Sequence, residues 1–181
     1  MGLPLRLHPD SLCPAVTQIE VDVVRPQVGR LLLRYRMAGT ISDLLLPPIT
    51  SPTRADDLWQ HTCFEVFVRC PPSEVYREFN FAPSTRWAAY RFDGYRRGMR
   101  AASGISAPVI EVQTSAELFT LQASLQLDQL SMLPRDARWR LGLSALIEET
   151  SGRISYWALT HPPGKPDFHH ADCFAYEFSP T

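Results

Sequence analysis

Short segments in which apolar and polar residues alternate run through most of the chain, and they constrain its fold more than any other feature. The segment 31–37 is typical, with Leu33 and Tyr35 on one face of an extended strand and Arg34 and Arg36 on the other. Similar runs cover 16–23, 62–69, 75–82, 86–92, 108–114, 117–127, 140–149, 154–160 and 173–178. A period of two residues in short runs is typical of half-buried β-strands.

Proline is frequent between these segments and excludes long helices. The chain has 16 prolines in 181 residues, about 9% against a usual level of about 5%. Proline is unfavourable inside helices and central strands, so helix is expected only as single turns near 53–59 and 166–170. The sequence therefore predicts an all-β fold: a single antiparallel β-sandwich over residues 1–181, jelly-roll-like, with about ten strands.

Charge and hydropathy limit the partners and the location of the chain. Lys and Arg number 18 against 19 Asp and Glu, so no basic excess is present to bind nucleic acid. No run approaches the roughly 18 apolar residues of a membrane span, and the first residues lack the pattern of a secretory signal. A cytoplasmic location is expected, with Cys13, Cys63, Cys70 and Cys173 as reduced thiols. The oligomeric state is left open.

The side chains of 76–82 and 87–92 predict a β-hairpin with a defined register. Pairing Ala82 with Trp87 sets Glu78 against Arg91 and Asn80 against Ala89. A slip by one residue would oppose Arg77 to Arg91, and two like charges in direct opposition are unfavourable. The predicted register gives one sheet face that bears Glu78, Asn80, Trp87 and Arg91. This face is either solvated or a polar and aromatic binding surface.

The segment before the hairpin contains two further candidates. Glu65 lies among Phe64, Val66 and Phe67, where a carboxylate that is buried needs a cationic or hydrogen-bonding partner such as Arg91 or Arg69. A solvent-facing Glu65 is the alternative. Trp59 belongs either to the core or to a platform that stacks on a ligand.

A rigid, polar loop follows the strand 154–160. It contains three prolines and displays His161, Lys165, Asp167 and His169. These side chains could anchor the loop, contact an organic ligand or, for the two histidines and Asp167, ligate a metal, although their spacing matches no metal motif. We expect the loop to close over the end of the sandwich that holds Trp59, Glu65 and Trp87.

Nucleophilic catalysis has little support in the sequence. No Gly-x-Ser-x-Gly elbow occurs, and the neighbours of Cys63 in its strand point to the opposite face. Glu65, Glu78 and His169 could perform general acid and base catalysis if they meet at one cavity.

Several of these segments together resemble a known family. The runs 57–67, 76–84, 87–95 and 142–149, with the loop 161–170, are similar to bacterial DOMON-like proteins, which are related to the type 9 carbohydrate-binding modules. The resemblance extends over about residues 15–178. It implies a β-sandwich that binds a sugar or a haem, without an established reaction.

The resulting expectation is a module that binds a sugar-like or other polar small molecule. Its expected contact residues are Trp59, Glu65, Glu78, Asn80, Trp87, Arg91, His161, Lys165, Asp167 and His169. Alternatives are a haem-binding redox domain and a small acid/base enzyme. Haem would need axial ligands such as Met37, Met99 or Met132 with His161 or His169, and no Cys-x-x-Cys-His attachment motif occurs. No cofactor is otherwise expected.

Overall fold

The computed structural model describes residues 2–27, 29–127 and 138–178, and nearly all of their regular structure is β-strand. The strands are β1 (Leu3–Leu7), β2 (Val16–Val24), β3 (Arg30–Gly39), β4 (Cys63–Arg69), β5 (Tyr76–Phe81), β6 (Trp87–Phe92), β7 (Arg100–Ala101), β8 (Val109–Thr114), β9 (Leu118–Gln126), β10 (Trp139–Glu148), β11 (Ile154–Ala158) and β12 (Tyr176–Phe178). The predicted all-β fold is confirmed.

Helix is confined to three single turns among the described residues: Ile41–Asp43, Leu58–Gln60 and Ala171–Cys173. The predicted turn near 53–59 overlaps the second, whereas the one predicted at 166–170 begins only at Ala171. None of these turns is long and apolar enough to cross a membrane.

All neighbouring strands are antiparallel and form one continuous sheet. Its order is β7-β6-β5-β4-β10-β11-β1-β2-β3-β9-β8, and β12 pairs with the first residues of β10. Strand β1 joins two parts of this sheet, which we call the β5 half (β4–β7 and β10–β12) and the β3 half (β2, β3, β8 and β9).

Alternation did not predict two of the strands, β1 and the two-residue β7. In β1 the residues Leu3, Leu5 and Leu7 do alternate, but Pro4 lies among them and argues against a strand that is paired on both sides. This residue lies where β1 pairs with β2 alone, since β11 pairs only with Arg6 and Leu7. A proline is tolerated where a strand has a neighbour on one side only, because its missing N–H need not serve a second strand.

The sheet curls so that its two halves enclose a common main core. The ring of Tyr35 on β3 lies 5.1 Å from that of Phe64 on β4, and Phe64 stacks on Phe119 of β9 at 5.6 Å. The hydroxyl of Tyr35 also donates a hydrogen bond to the carbonyl oxygen of Glu65 (2.6 Å). These contacts join the β3 half to the β5 half across the core.

The β5 half differs from the β3 half because side chains cover both of its faces. One face contributes to the main core. The other carries a second apolar cluster formed by Phe67, Tyr76, Ala88, Tyr90, Phe92 and Phe174, with Leu58, Trp59 and Phe168 packed against it. We call this second surface the covered face. It forms one wall of the candidate site.

The predicted register of the β5–β6 hairpin is wrong by one residue. Phe81 pairs with Trp87 and Glu78 with Tyr90, so Arg77 does lie opposite Arg91. The connecting loop has five residues, 82–86, and the N–H of Ala82 donates to the carbonyl of Arg86. As a consequence, Glu78 and Asn80 lie on the covered face, whereas Trp87 and Arg91 lie on the opposite one.

Packing on two faces explains why the observed register is preferred. It buries Phe79, Phe81 and Trp87 in the main core, and on the covered face it stacks Tyr76 on Phe92 with ring centres 4.7 Å apart. Each buried aromatic ring contributes about 1.5–3 kcal/mol, which exceeds the cost of one like-charge pair of up to about 1 kcal/mol. The predicted register assumed a single apolar core face, whereas both faces of this hairpin are buried.

Candidate functional site

A cavity of about 310 Å³ lies between the covered face and the segment that follows β11. We call the segment 161–170 the proline-rich loop and the space beneath it the acidic cavity. It is lined by Trp59, Glu65, Glu78, Phe92, Arg96, Met99, Leu146, Tyr156, Pro166, Phe168 and His169. Most of the wall is aromatic or apolar, and the two carboxyl groups form part of its lining.

Strand alternation places the two carboxyl groups side by side. Glu65 of β4 is paired with Asn80 of β5, and Glu78 lies two residues before Asn80. Residues two apart in a strand share a face, so Glu78 is a diagonal neighbour of Glu65. Both side chains are almost fully buried, with 3% of Glu65 and 4% of Glu78 exposed.

Glu65 has one hydrogen-bond donor from a side chain, the hydroxyl of Ser144, whose oxygen lies 3.1 Å from Oε2. Ser144 is directly across from Glu65 on β10. Burial, together with the neighbouring Glu78, raises the pKa of Glu65 well above its ordinary value, and the Ser144 hydrogen bond only partly opposes this effect. Burial and the neighbouring Glu78 therefore both favour the protonated, neutral form of Glu65.

The pKa of Glu78 is set by other neighbours than the pKa of Glu65. The side-chain amide of Asn80 donates to its Oε1 (2.8 Å). Burial raises the pKa of Glu78 to about 7, while the Asn80 hydrogen bond and the charge of Arg96 oppose the rise. The pair thus combines a group whose protonated form is strongly favoured with one that exchanges its proton near neutral pH, an arrangement suited to proton transfer or to recognition of charge.

His169 is the third titratable group in the wall and is held in one orientation. The backbone N–H of Arg96 donates to the Tyr76 oxygen (3.2 Å), so the phenol hydrogen is free to donate to Nδ1 of His169 (2.8 Å). Nε2 then carries the ring hydrogen and faces Glu78, 3.8 Å from its Oε2. Burial and Arg96 lower the pKa of His169 to about 4, so the imidazole is neutral at pH 7.

Aromatic rings fix the remaining walls. His169 meets Phe67 and Phe92 edge to face, with ring centres 5.1 and 5.0 Å away. On the opposite side, the single turn Leu58–Gln60 presents Trp59, which packs edge-on against Tyr90 at 5.9 Å. Tyr156 of β11 packs against Phe168 at 6.0 Å. The cavity is therefore bordered by flat apolar surfaces around a polar floor.

Asp167 anchors the proline-rich loop to the segment between β6 and β7. It accepts hydrogen bonds from the guanidinium of Arg96 (2.8 Å), the hydroxyl of Tyr95 and the N–H of His169 (3.1 Å). Burial works against ionisation of this group, but the Tyr95 and Arg96 hydrogen bonds outweigh it and lower the pKa of Asp167. Arg96 has a left-handed backbone with φ of 52°, which directs the chain back toward the loop.

The structure brings together only part of the predicted set. Trp59, Glu65, Glu78 and His169 line the cavity, and Asn80 and Asp167 contact lining residues from behind. Trp87, Arg91, His161 and Lys165 do not line it. The loop does close over Trp59 and Glu65, but the expectation that Trp87 shares this site is wrong.

The observed register of the hairpin explains why Trp87 and Arg91 lie away from the site at which they were predicted. Trp87 is 5% exposed within the main core, with the guanidinium of Arg54 over its ring at 5.3 Å. Arg91 is on the same face as Trp87 and pairs with Asp93 at 3.5 Å. The ion pair predicted between Glu78 and Arg91 does not form.

His161 and Lys165 lie outside the cavity for different reasons. His161 donates from Nε2 to the carbonyl of Arg6 (2.8 Å) and packs edge to face on His8 at 4.8 Å. It therefore ties the loop to the end of β1, whereas Lys165 is exposed. Within the described ranges, no three His, Cys, Asp or Glu side chains converge as a metal site would require.

The predicted haem ligands are dispersed. Met99 and His169 line the cavity, whereas Met37 is fully buried in the main core and Met132 lies outside the described residues. The four cysteines are free thiols.

Several lining residues were not anticipated from the sequence. Alternation in β10 and β11 could have assigned Leu146 and Tyr156 to the face of Glu65, because β10 pairs with β4 and β11 pairs with β10. Arg96 and Met99 lie in an irregular segment, so no periodic pattern marks them.

Comparison with known proteins supports the fold. No family model matches the sequence, and no curated protein matches it either. The structure is similar to the crystal structure of a protein from Bacteroides uniformis ATCC 8492 that is described as a candidate carbohydrate-binding protein. The TM-score is 0.68 at 12% identity, and the match covers 95% of this chain and 83% of that one. At this identity the likeness concerns the fold.

Proposed function

We propose that the chain binds a small carbohydrate or a closely similar polar molecule in the acidic cavity. The observation that carries this proposal is the combination of buried carboxyl groups with flat aromatic walls in one cavity of about 310 Å³. Saccharides offer apolar ring faces that pack on aromatic side chains and hydroxyl groups that hydrogen-bond carboxylates.

Each part of the cavity has a role in this proposal. Trp59 and Phe168 provide apolar surface, and Glu65 and Glu78 accept hydrogen bonds from hydroxyl groups. The Nε2–H of His169 is a donor that the ligand can use, because Tyr76 occupies Nδ1. Asp167 and Arg96 hold the loop in place before a ligand arrives, which lowers the ordering cost of binding.

Fold likeness to a candidate carbohydrate-binding protein is compatible with this function and supports it weakly. Under the same proposal, the curled sheet is a β-sandwich of the DOMON-like type, related to type 9 carbohydrate-binding modules. A cytoplasmic location also remains part of the proposal, in keeping with four free thiols.

Ligand-observed NMR on the intact chain tests the proposal directly. We expect saturation transfer to at least one member of a panel of neutral monosaccharides and disaccharides at pH 7. Trp59→Ala should weaken that binding about tenfold or more, since aromatic contacts dominate such sites. Lys165→Ala is the matched control and should bind as the wild type does. A panel without transfer, or with equal transfer to Trp59→Ala, would contradict the proposal.

Acid/base catalysis is a second candidate, favoured by the different protonation of Glu65 and Glu78 on one face. A neutral carboxylic acid beside an ionisable carboxylate can donate and accept a proton on the same bound molecule. Exchange between sugar anomers, followed by NMR, should then be faster with the wild type than with Glu78→Gln. Equal rates would leave binding as the function.

A further inference from the structure

Hydrogen-bond acceptors outnumber donors on the floor of the acidic cavity. Glu65 and Glu78 together present four oxygen atoms, and the side chains that donate to them are those of Ser144 and Asn80, with one hydrogen bond each. The Nε2–H of His169 faces Glu78 from 3.8 Å, beyond hydrogen-bond length.

Asn80 adds a further unfilled acceptor at the same place. Its amide lies between the two carboxyl groups, because Asn80 is paired with Glu65 and donates through Nδ2 to Glu78. The amide oxygen accepts no hydrogen bond, although none of the residue is exposed to solvent. A buried polar atom without a partner is costly, so this oxygen is a second indication that a donor is missing from the floor.

In the described part of the chain the two acids have no positive side chain in direct contact, although the charge of Arg96 acts on Glu78 from a distance. Among residues 2–27, 29–127 and 138–178, no Arg or Lys forms an ion pair with Glu65 or Glu78. Arg96 lines the cavity, but Asp167 holds its guanidinium at 2.8 Å. A buried acid without a cationic partner remains protonated or awaits a cation from elsewhere.

The aromatic walls also suit a cation. Trp59, Phe92, Tyr156 and Phe168 surround the space above the acids. The faces of aromatic rings attract positive charge, most strongly where water is excluded. An ammonium group provides three donors and no acceptor, which matches a floor rich in acceptors better than a hydroxyl group does.

From this geometry we infer that the ligand of the acidic cavity carries a protonated primary amine, which binds against Glu65 and Glu78 on the floor of the cavity. The inference rests on the proposed function and makes it more specific: the ligand is an amino sugar. On binding, the ammonium takes the place of the proton that the acid pair holds in the free protein, and that proton is released to solvent.

Proton release follows from the state of Glu78. Its pKa is about 7, so roughly half of the molecules carry this proton at pH 7, and a bound cation displaces it. The titratable and charged groups around Glu78 are Cys63 and Glu65 on β4, Tyr76 on β5, Tyr90 on β6, Arg96 after β6, and Asp167 and His169 in the proline-rich loop. Of these, Glu65 has its pKa raised by burial and by Glu78, whereas His169 is neutral at pH 7.

Isothermal titration calorimetry with matched sugars tests the inference. Glucose, galactose and mannose are each compared with the corresponding 2-amino-2-deoxy sugar and with its N-acetyl derivative, in which the positive charge is lost. We expect at least one amino sugar to bind about ten- to a hundredfold more tightly than both of its neutral counterparts, as a charge-assisted hydrogen bond allows. Titrations in two buffers of different ionisation enthalpy should show about half a proton released per amine bound at pH 7, after correction for the proton taken up by the unprotonated fraction of the free amine.

Two variants localise the effect. Glu78→Gln and Glu65→Gln keep the shape of each side chain, and either one should reduce amino-sugar affinity to that of the neutral sugar. Glu111→Gln removes one carboxylate from the exposed edge strand β8 and should leave both affinities unchanged. Melting temperatures of all three variants report whether they fold. If one of the two cavity variants does not fold, the other still tests the inference.

The outcomes separate this inference from the proposed function. Neutral sugars that bind as tightly as amino sugars, or amine binding without proton release, would overturn the inference and leave carbohydrate binding intact. Amine selectivity that survives in both cavity variants would also overturn it. No binding by any sugar in the series would overturn the proposed function itself.

Discussion

The outer faces of the two halves of the sheet place their charges in opposite ways. On the β3 half, Arg36 contacts the carboxylates of Glu20 and Asp22, and Arg34 donates to Gln122. On the β5 half, Glu65 and Glu78 are buried side by side with few donors. Ion pairs on a solvated face, such as those of Arg36, are common on protein surfaces and do not by themselves indicate a function. Two unbalanced acids under a rigid loop lower stability, and such costs are typical of functional sites.

The largest expected difference between the two faces concerns packing. Phe67→Ala removes a ring that is 1% exposed and that contacts Tyr76, His169 and Phe174. The loss should lower the free energy of unfolding by about 3–5 kcal/mol, measured by chemical denaturation. Gln122→Ala on the β3 half should change it by less than about 0.5 kcal/mol. Equal losses would mean that the covered face contributes no more than a solvated one.

A pH dependence should distinguish the acids of the β5 half. Glu78 has a folded-state pKa near 7 against an ordinary value of 4.5, so the unfolded chain loses this proton first as the pH rises. Stability is therefore fully present below about pH 4.5 and is lost between pH 4.5 and 7, by about 3 kcal/mol in all. Glu78→Gln should gain stability relative to the wild type by that amount over this range. A difference independent of pH would contradict the assignment.

A smaller effect is expected for the hydrogen bond that orients His169. Tyr76→Phe removes the donor to Nδ1 and should cost about 1–2 kcal/mol, because a buried acceptor loses its partner. Phe92→Leu serves as a comparison for stability only, since it changes packing against both His169 and Tyr76 while the Tyr76 hydroxyl stays in place. Sugar binding should weaken in Tyr76→Phe more than the loss of stability alone explains. Unchanged binding would show that the orientation of His169 is unimportant.

The smallest effect is expected from the exposed charges of the β3 half. Arg36→Gln breaks the ion pairs with Glu20 and Asp22, whose side chains are partly exposed. Thermal denaturation should show a loss below about 1 kcal/mol that shrinks further in high salt. A larger loss of stability would indicate that the outer face of the β3 half is less exposed to solvent than its alternation of polar and apolar residues suggests.

The same contrast decides how far sequence can predict this structure. Alternation identified β3 because one side of that strand is polar and exposed, as in Arg34. In β5 every residue is buried, so the pattern no longer shows which side faces the core, and the register was chosen by charge. In the structure, the packing of Tyr76 on Phe92 favours the observed register of the hairpin. The sequence alone did not indicate the second apolar cluster to which these rings belong.

Prediction of the site followed the same limits. Glu65 is a candidate because its neighbours in the strand are apolar, and Glu78 because the predicted hairpin register places it on the polar face with Asn80. Their mutual proximity depends on β4 being paired with β5, which no local pattern encodes. His169 was found through the unusual composition of its loop, whereas His161 has the same composition around it and serves as an anchor to β1.

Strand β1 has a consequence for how the chain reaches its folded state. Arg6 pairs with Ala158, so β1, which among the described strands joins the two halves, depends on residues separated by most of the sequence. On the ribosome, residues 3–7 are made early, and they cannot pair with β11 until that strand has been synthesised. Contacts of such long sequence separation slow folding and leave strand edges open to wrong pairing meanwhile. Pro4 limits hydrogen bonding on one side of β1 and thereby makes wrong pairing of this strand less favourable before β11 is made.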